Sequence, residues 1–151
     1  MNNSRRNALK TTGAFATLVS LGIVTQSQAH AAMDRAGFDI KSMADAVKAL
    51  GGTAANSDQV TVVAPDIAEN GAVVPVGATS KIPNTTEIYL IVEKNPTPMA
   101  AGFKIPAGTA ADVQTRLKMG QSSNVFAVVK ADGKLFSAFK ETKVTLGGCG
   151  G

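Results

Sequence analysis

Between Phe38 and Leu50 apolar residues recur at helical spacing: Ile40, Met43, Ala44, Val47 and Leu50 fall on one side of a 3.6-residue repeat. Asp39 stands where a helix cap is wanted, and Gly51-Gly52 follows as a stop signal. The spacing therefore predicts a helix over 38–50 whose apolar stripe packs on a core. Beyond Gly52 the period changes to two. Apolar and β-branched runs occupy 60–64, 72–79, 87–93, 101–105, 112–118, 124–130 and 134–142. Val113, Thr115, Leu117 and Met119 alternate with polar residues, as a half-buried strand does. Turn chemistry separates the runs at Asn70-Gly71, Pro83-Asn84, Asn95-Pro96-Thr97-Pro98, Pro106-Ala107-Gly108 and Asp132-Gly133. Asp132-Gly133 between two runs signals a tight hairpin. Short strands with no second helix between them predict a mainly β domain, an antiparallel β-sandwich preceded by a short N-terminal helix. Phe126, Phe136 and Phe139 suit either its core or a subunit interface.

The N-terminal pattern is of another kind. Ser4-Arg5-Arg6-Asn7-Ala8-Leu9-Lys10 resembles the twin-arginine export motif, with Ala8 where that motif usually has Phe. The apolar run that follows, from Ala14 to Val24, is shorter than the ~20 residues a bilayer-spanning helix needs. Ala29-His30-Ala31 then supplies small residues at the positions a signal peptidase reads. Residues 1–31 are accordingly expected to be a cleavable export signal with Arg5 and Arg6 as its motif, and the mature protein is expected in the periplasm. No cysteine follows the apolar run, which argues against a lipoprotein anchor.

Removing that leader alters the composition. The full chain of 151 residues carries a formal charge of +4, but Arg5, Arg6 and Lys10 belong to the leader. From Ala32 onward 12 basic residues face 11 acidic ones, a balance of +1. There is no basic stripe and no Trp, so a nucleic-acid surface of clustered cations and stacking aromatics is not expected. His30 is the single histidine and leaves with the leader. A mature chain without histidine and with one cysteine cannot build a Ser-His-Asp or Cys-His catalytic arrangement, nor a zinc, copper or haem site of the usual kind. No cofactor is expected, and no membrane contact of the mature form.

The chemistry is concentrated at the C-terminus. Residues 143–151 read Lys-Val-Thr-Leu-Gly-Gly-Cys-Gly-Gly, so four glycines, Gly147, Gly148, Gly150 and Gly151, surround the only thiol, Cys149. Glycine has the widest backbone freedom and loses the most on ordering, so this segment is expected to be a flexible arm. At ~3.5 Å per residue, Cys149 reaches ~10 Å beyond Leu146, enough to enter a narrow pocket of another protein. A free thiol in an oxidising compartment is a liability unless it is used. No acid or histidine stands beside Cys149 to activate it, and Lys140 and Lys143 are its nearest cations. With a reference pKa near ~8.5 the thiol is little ionised at neutral pH. The pattern fits a handle that partners activate better than it fits a catalyst. The alternative is an interaction module joined to a partner through a Cys149 disulfide. Asp66 and Glu69, three apart near a turn, could serve acid–base chemistry but read first as solvating a loop, and Glu69-Asn70-Gly71 reads as a possible partner surface.

The closing Gly-Gly-Cys-Gly-Gly, the stretch Pro65-Asp66-Ile67-Ala68-Glu69-Asn70-Gly71-Ala72-Val73-Val74-Pro75-Val76 and the turn Glu93-Lys94-Asn95-Pro96-Thr97-Pro98 together resemble the SoxY family of the bacterial Sox thiosulfate-oxidation system. The resemblance runs from the export motif to the last residue. It implies an immunoglobulin-like sandwich over 32–142 and a carrier tail over 143–151. It also implies a non-catalytic covalent sulfur carrier whose Cys149 holds S-thiosulfonate and persulfide. The partners it implies are a SoxZ-like β subunit, a SoxAX-type c-cytochrome, a SoxB-type sulfate-releasing hydrolase and, in some organisms, SoxCD.

Overall fold

The computed structural model describes residues 37–145. Among them are one helix, α1 (Met43–Ala49), and nine strands: β1 (Ala54–Asn56), β2 (Val60–Val63), β3 (Ile67–Ala68), β4 (Val74–Ser80), β5 (Thr85–Val92), β6 (Met99–Lys104), β7 (Asp112–Leu117), β8 (Ser123–Ala131) and β9 (Lys134–Val144). They form two sheets, β1-β9-β8-β5-β6 with β3 also on β9, and β2-β4-β7. The fold is an immunoglobulin-like β-sandwich.

Alternation decides which residues lie between the sheets. Ile88, Leu90 and Val92 of β5 and Val125, Ala127 and Val129 of β8 are buried, as are Val74, Val76 and Ala78 of β4 and Leu117 of β7. These residues form one contiguous core cluster. On the other face of the large sheet a second apolar cluster forms under α1. Ile91, Val128 and Leu135 are buried there against Met43, Val47 and Leu50. At roughly 1.5–3 kcal/mol per fully buried Val, Leu or Ile, the inter-sheet core dominates stability and α1 adds a smaller cluster.

The helix is shorter than the expected 38–50. Residues 37–39 form a turn, and the N-cap is Ser42, in extended backbone, rather than Asp39. A methyl group placed on Gly102 of β6 would stand 3.0 Å from the Tyr89 ring and 3.5 Å from Phe38, so these two rings lie beside a glycine on the sheet. Gly51 and Gly52, at φ 127° and 135°, end α1 in a conformation that side-chain-bearing residues rarely adopt. At the β8–β9 hairpin, Asp132 and Gly133 both have positive φ, 49° and 73°, as a two-residue turn matching strand twist requires.

The sheets are antiparallel except at two places. β1 pairs parallel with the start of β9, Ala54 opposite Leu135, and β3 pairs parallel with its end, Ile67 opposite Lys143 and Ala68 opposite Val144. Between them the chain crosses to the small sheet as β2. No strand of the described residues pairs with positions 138–142 on that side. There the Lys140 ammonium donates to the Ala64 carbonyl at 2.6 Å and meets the Asp66 carboxylate at 3.0 Å.

Candidate functional site

Cys149, the arm glycines Gly147, Gly148, Gly150 and Gly151, and the export-motif residues Arg5 and Arg6 lie outside the described residues. What the structure builds is the root from which the C-terminal segment leaves, and it is built from both sides. The β8–β9 ladder ends at Ser123 opposite Thr142. Beyond that point the Ser122 hydroxyl takes the place of a strand partner: its Oγ accepts from the Val144 N–H at 2.9 Å and donates to the Val144 carbonyl at 3.4 Å. On the opposite side the Lys143 N–H donates to the Asp66 carbonyl at 2.9 Å and the Thr145 N–H to the Ala68 carbonyl at 3.1 Å. The Thr145 hydroxyl adds a longer bond to the Glu69 carbonyl, 3.4 Å.

The loops that carry these partners are fixed in turn. Gly71 is buried against the root. A Cβ there would stand 2.5 Å from the Met119 carbonyl oxygen and 2.8 Å from Val144 Cγ1, while the Met119 N–H donates to the Gly71 carbonyl at 2.7 Å. Only a glycine permits that approach. The Asn70 side chain accepts from the Ala72 N–H at 2.9 Å and sets the turn. Asn95 joins two loops: its amide donates to the Lys118 carbonyl at 2.7 Å and accepts from the Gly120 N–H at 3.1 Å. Gln121 Nε2 donates to the Lys94 carbonyl at 3.3 Å, and Ser123 Oγ accepts from the Lys94 N–H at 3.0 Å. Behind the root Thr142 is fully buried, and its hydroxyl has no hydrogen-bond partner among the described residues.

The residues singled out in sequence take definite places. Asp66 and Glu69 do not form an acid–base pair: the Asp66 carboxylate engages Lys140, and Glu69 contributes its carbonyl to the root. The carboxylate is 87% exposed, so the ion pair stabilises weakly. Lys140 is not a freely solvated strand residue, being held by Asp66 and Ala64. Lys143 is exposed, with its backbone bonded to β3. Phe136 packs on the main core and Phe126 on the cluster under α1. Phe139 is 58% exposed and stacks on Phe126 with ring centroids 5.1 Å apart. Ile67, 60% exposed, lies on the strand beside the root. Ser122, Met119 and Thr142 were not legible as root residues: they reach Val144, Gly71 and Ser123 only through tertiary pairing.

Among the described residues no group of three or more His, Cys, Asp or Glu side chains could hold a metal ion, and no helix is long and apolar enough to cross a membrane. Chemically, the arrangement grips a strand end and aims it.

A family model described as sulfur oxidation protein SoxY matches residues 46–149. The structure of the sulfur carrier protein SoxY from Chlorobium limicola f thiosulfatophilum superposes with a TM-score of 0.61 at 38% identity, covering 68% of this chain and 94% of that one. A structure concerned with T cell activation by the superantigen toxic shock syndrome toxin-1 aligns at a TM-score of 0.41 and 10% identity, over 57% of this chain and 99% of that one, which carries no argument. No curated protein sequence matches.

Proposed function

Since this chain belongs to the SoxY family of sulfur oxidation proteins, we propose that it is a covalent sulfur carrier whose Cys149 is the attachment point and whose partners perform the chemistry. The observation that carries the reading is the extent of the family match, which runs from α1 through the clamped root and ends on Cys149 itself. A carrier needs a firm base and a reachable thiol, and the geometry supplies the base.

The chemistry would proceed in two balanced steps. First, the thiolate and the outer sulfur of thiosulfate form an S–S bond. Two electrons leave to a c-type cytochrome of SoxAX type, and Cys149 becomes an S-thiosulfonate. Second, a SoxB-type hydrolase brings water to the terminal sulfonate. The S–S bond to the sulfonate breaks, sulfate departs with release of protons, and a persulfide stays on Cys149. That sulfur is then oxidised by a SoxCD-type enzyme or passed to another acceptor. A SoxZ-like β subunit completes the carrier, the leader takes the protein to the periplasm, and the protein itself catalyses neither step and needs no bound cofactor.

The test is intact-mass analysis of the C-terminal peptide after incubation with thiosulfate and the partner proteins. Sulfur adducts on Cys149, lost in Cys149→Ser, are the expected result. Only protein–protein disulfides at Cys149 would overturn the reading in favour of an interaction module.

A further inference from the structure

Thr145 is the last described residue, and Cys149 stands four positions beyond it in the sequence. At ~3.5 Å per residue, four positions of extended chain span at most ~14 Å. That limit depends on where the chain is released. Counted from Thr142, seven positions would span up to ~25 Å. The difference rests on few bonds, because the regular ladder to β8 already ends at Thr142. Past it, one hydroxyl on that side, Ser122 Oγ, bonds both the N–H and the carbonyl of Val144. The β3 side contributes Lys143 and Thr145 N–H groups bonded to Asp66 and Ala68. Ser122 is half-buried and sits in a loop held by Asn95 and Gln121, so its hydroxyl is positioned by bonds that do not involve the strand end.

We infer that Ser122 is a positioning residue for sulfur transfer: with β3 it clamps Val144 and Thr145, so that the carrier arm leaves the sandwich at a fixed point, direction and length. The inference rests on the carrier reading and adds how the domain presents the thiol. An enzyme that docks on the sandwich then meets Cys149 within a set distance, and the thiol's effective concentration at the pocket is high because few positions lie beyond the clamp. Freeing three further residues dilutes the thiol and requires them to be ordered again at each visit, a loss of about tenfold in kcat/KM for a docking partner.

Three variants test it in the complete carrier, alongside Cys149→Ser. Ser122→Ala removes both bonds on the β8 side. Thr145→Pro removes the N–H that reaches Ala68, from a position past the last strand residue, and so opens the clamp from the β3 side without touching the fold. Ser122→Thr keeps a hydroxyl. Expected are a fall of about tenfold in kcat/KM, mostly in KM, for sulfate release with Ser122→Ala and Thr145→Pro. Recovery should follow in Ser122→Thr. Amide exchange at Val144 should quicken with Ser122→Ala while the core amides stay protected, and alkylation of Cys149 by a small reagent should be unchanged. A merely structural serine would instead lower core protection with activity. Wild-type kcat/KM in both opened variants overturns the clamp. Sulfate release by Cys149→Ser overturns the carrier reading itself, whatever Ser122 does.

Discussion

Replacing Gly71 by alanine tests the root at its tightest point. Gly71 is not among the glycines with positive φ, so its requirement is one of space. The added carbon would lie 2.5 Å from a backbone oxygen, Met119 O, and 2.8 Å from Val144 Cγ1. A backbone oxygen cannot rotate aside as a side chain can. The two segments must part by roughly half an ångström or more, which overpacks a close contact at about 1–3 kcal/mol. Parting also strains the 2.7 Å bond from the Met119 N–H to the Gly71 carbonyl, which contributes about 1 kcal/mol. Together they give a loss of about 2–4 kcal/mol and a fall of roughly 8–16 °C in Tm for a domain of this size. The chain has no Trp, so circular dichroism is the suitable probe. Gly133 makes the control. It has open space around it and φ 73°, so Gly133→Ala costs only the left-handed backbone, about 1–2 kcal/mol. Asparagine, which tolerates that region, should relieve the penalty at 133 and worsen it at 71. A fall of less than about 3 °C in Gly71→Ala, on the same scale, would refute the steric argument.

Thr142→Val should stabilise, by about 1–3 kcal/mol, because it removes a fully buried hydroxyl that has no partner while keeping the shape of the side chain; a lowered Tm would show that the hydroxyl is satisfied after all. Cys149→Ser should melt as the wild type does and take up no sulfur adduct by mass analysis, a result that a shifted melting curve would contradict. Asp66→Asn should change stability by less than about 1 kcal/mol, and the difference should shrink in high salt, since the pair it weakens is exposed; a larger, salt-independent loss in urea titrations would show that the carboxylate anchors the strand crossing.

The sandwich was legible because its longer strands advertise themselves. Each of the seven apolar runs after Gly52 overlaps a strand, and the Asp132-Gly133 hairpin forms as its residues require. β1 and β3 were not legible, being three and two residues long, Ala54-Ala55-Asn56 and Ile67-Ala68, without an alternation to read. They exist because β9, some 75 to 80 residues later in the chain, offers them an edge. The helix start was misplaced because Asp39 suits a cap in sequence, whereas residues 37–39 form a turn and Ser42 takes the N-cap position. At the site, the glycine-flanked cysteine was conspicuous from composition alone. The grip on its root was not, since Ser122 lies 22 residues from the strand end that it bonds.

The lacing of residues 54–68 along β9 has a consequence for how this protein would fail. β9 is the longest strand, eleven residues, and without β1 and β3 it would be an outermost strand with a bare row of backbone donors and acceptors. Such a row templates strand addition by another chain. Here it is blocked by three short devices: a parallel pairing at each end and the charged Lys140 across the gap. Ala64 and Ala68 belong to the inter-sheet core, whereas Ala54 of β1 packs only at the smaller cluster under α1, so β1 is the device that can detach while the sandwich stays folded. Insoluble assembly should therefore begin from a nearly native molecule with β1 peeled away, and a crosslink holding β1 to β9 should delay it without raising the melting temperature in proportion.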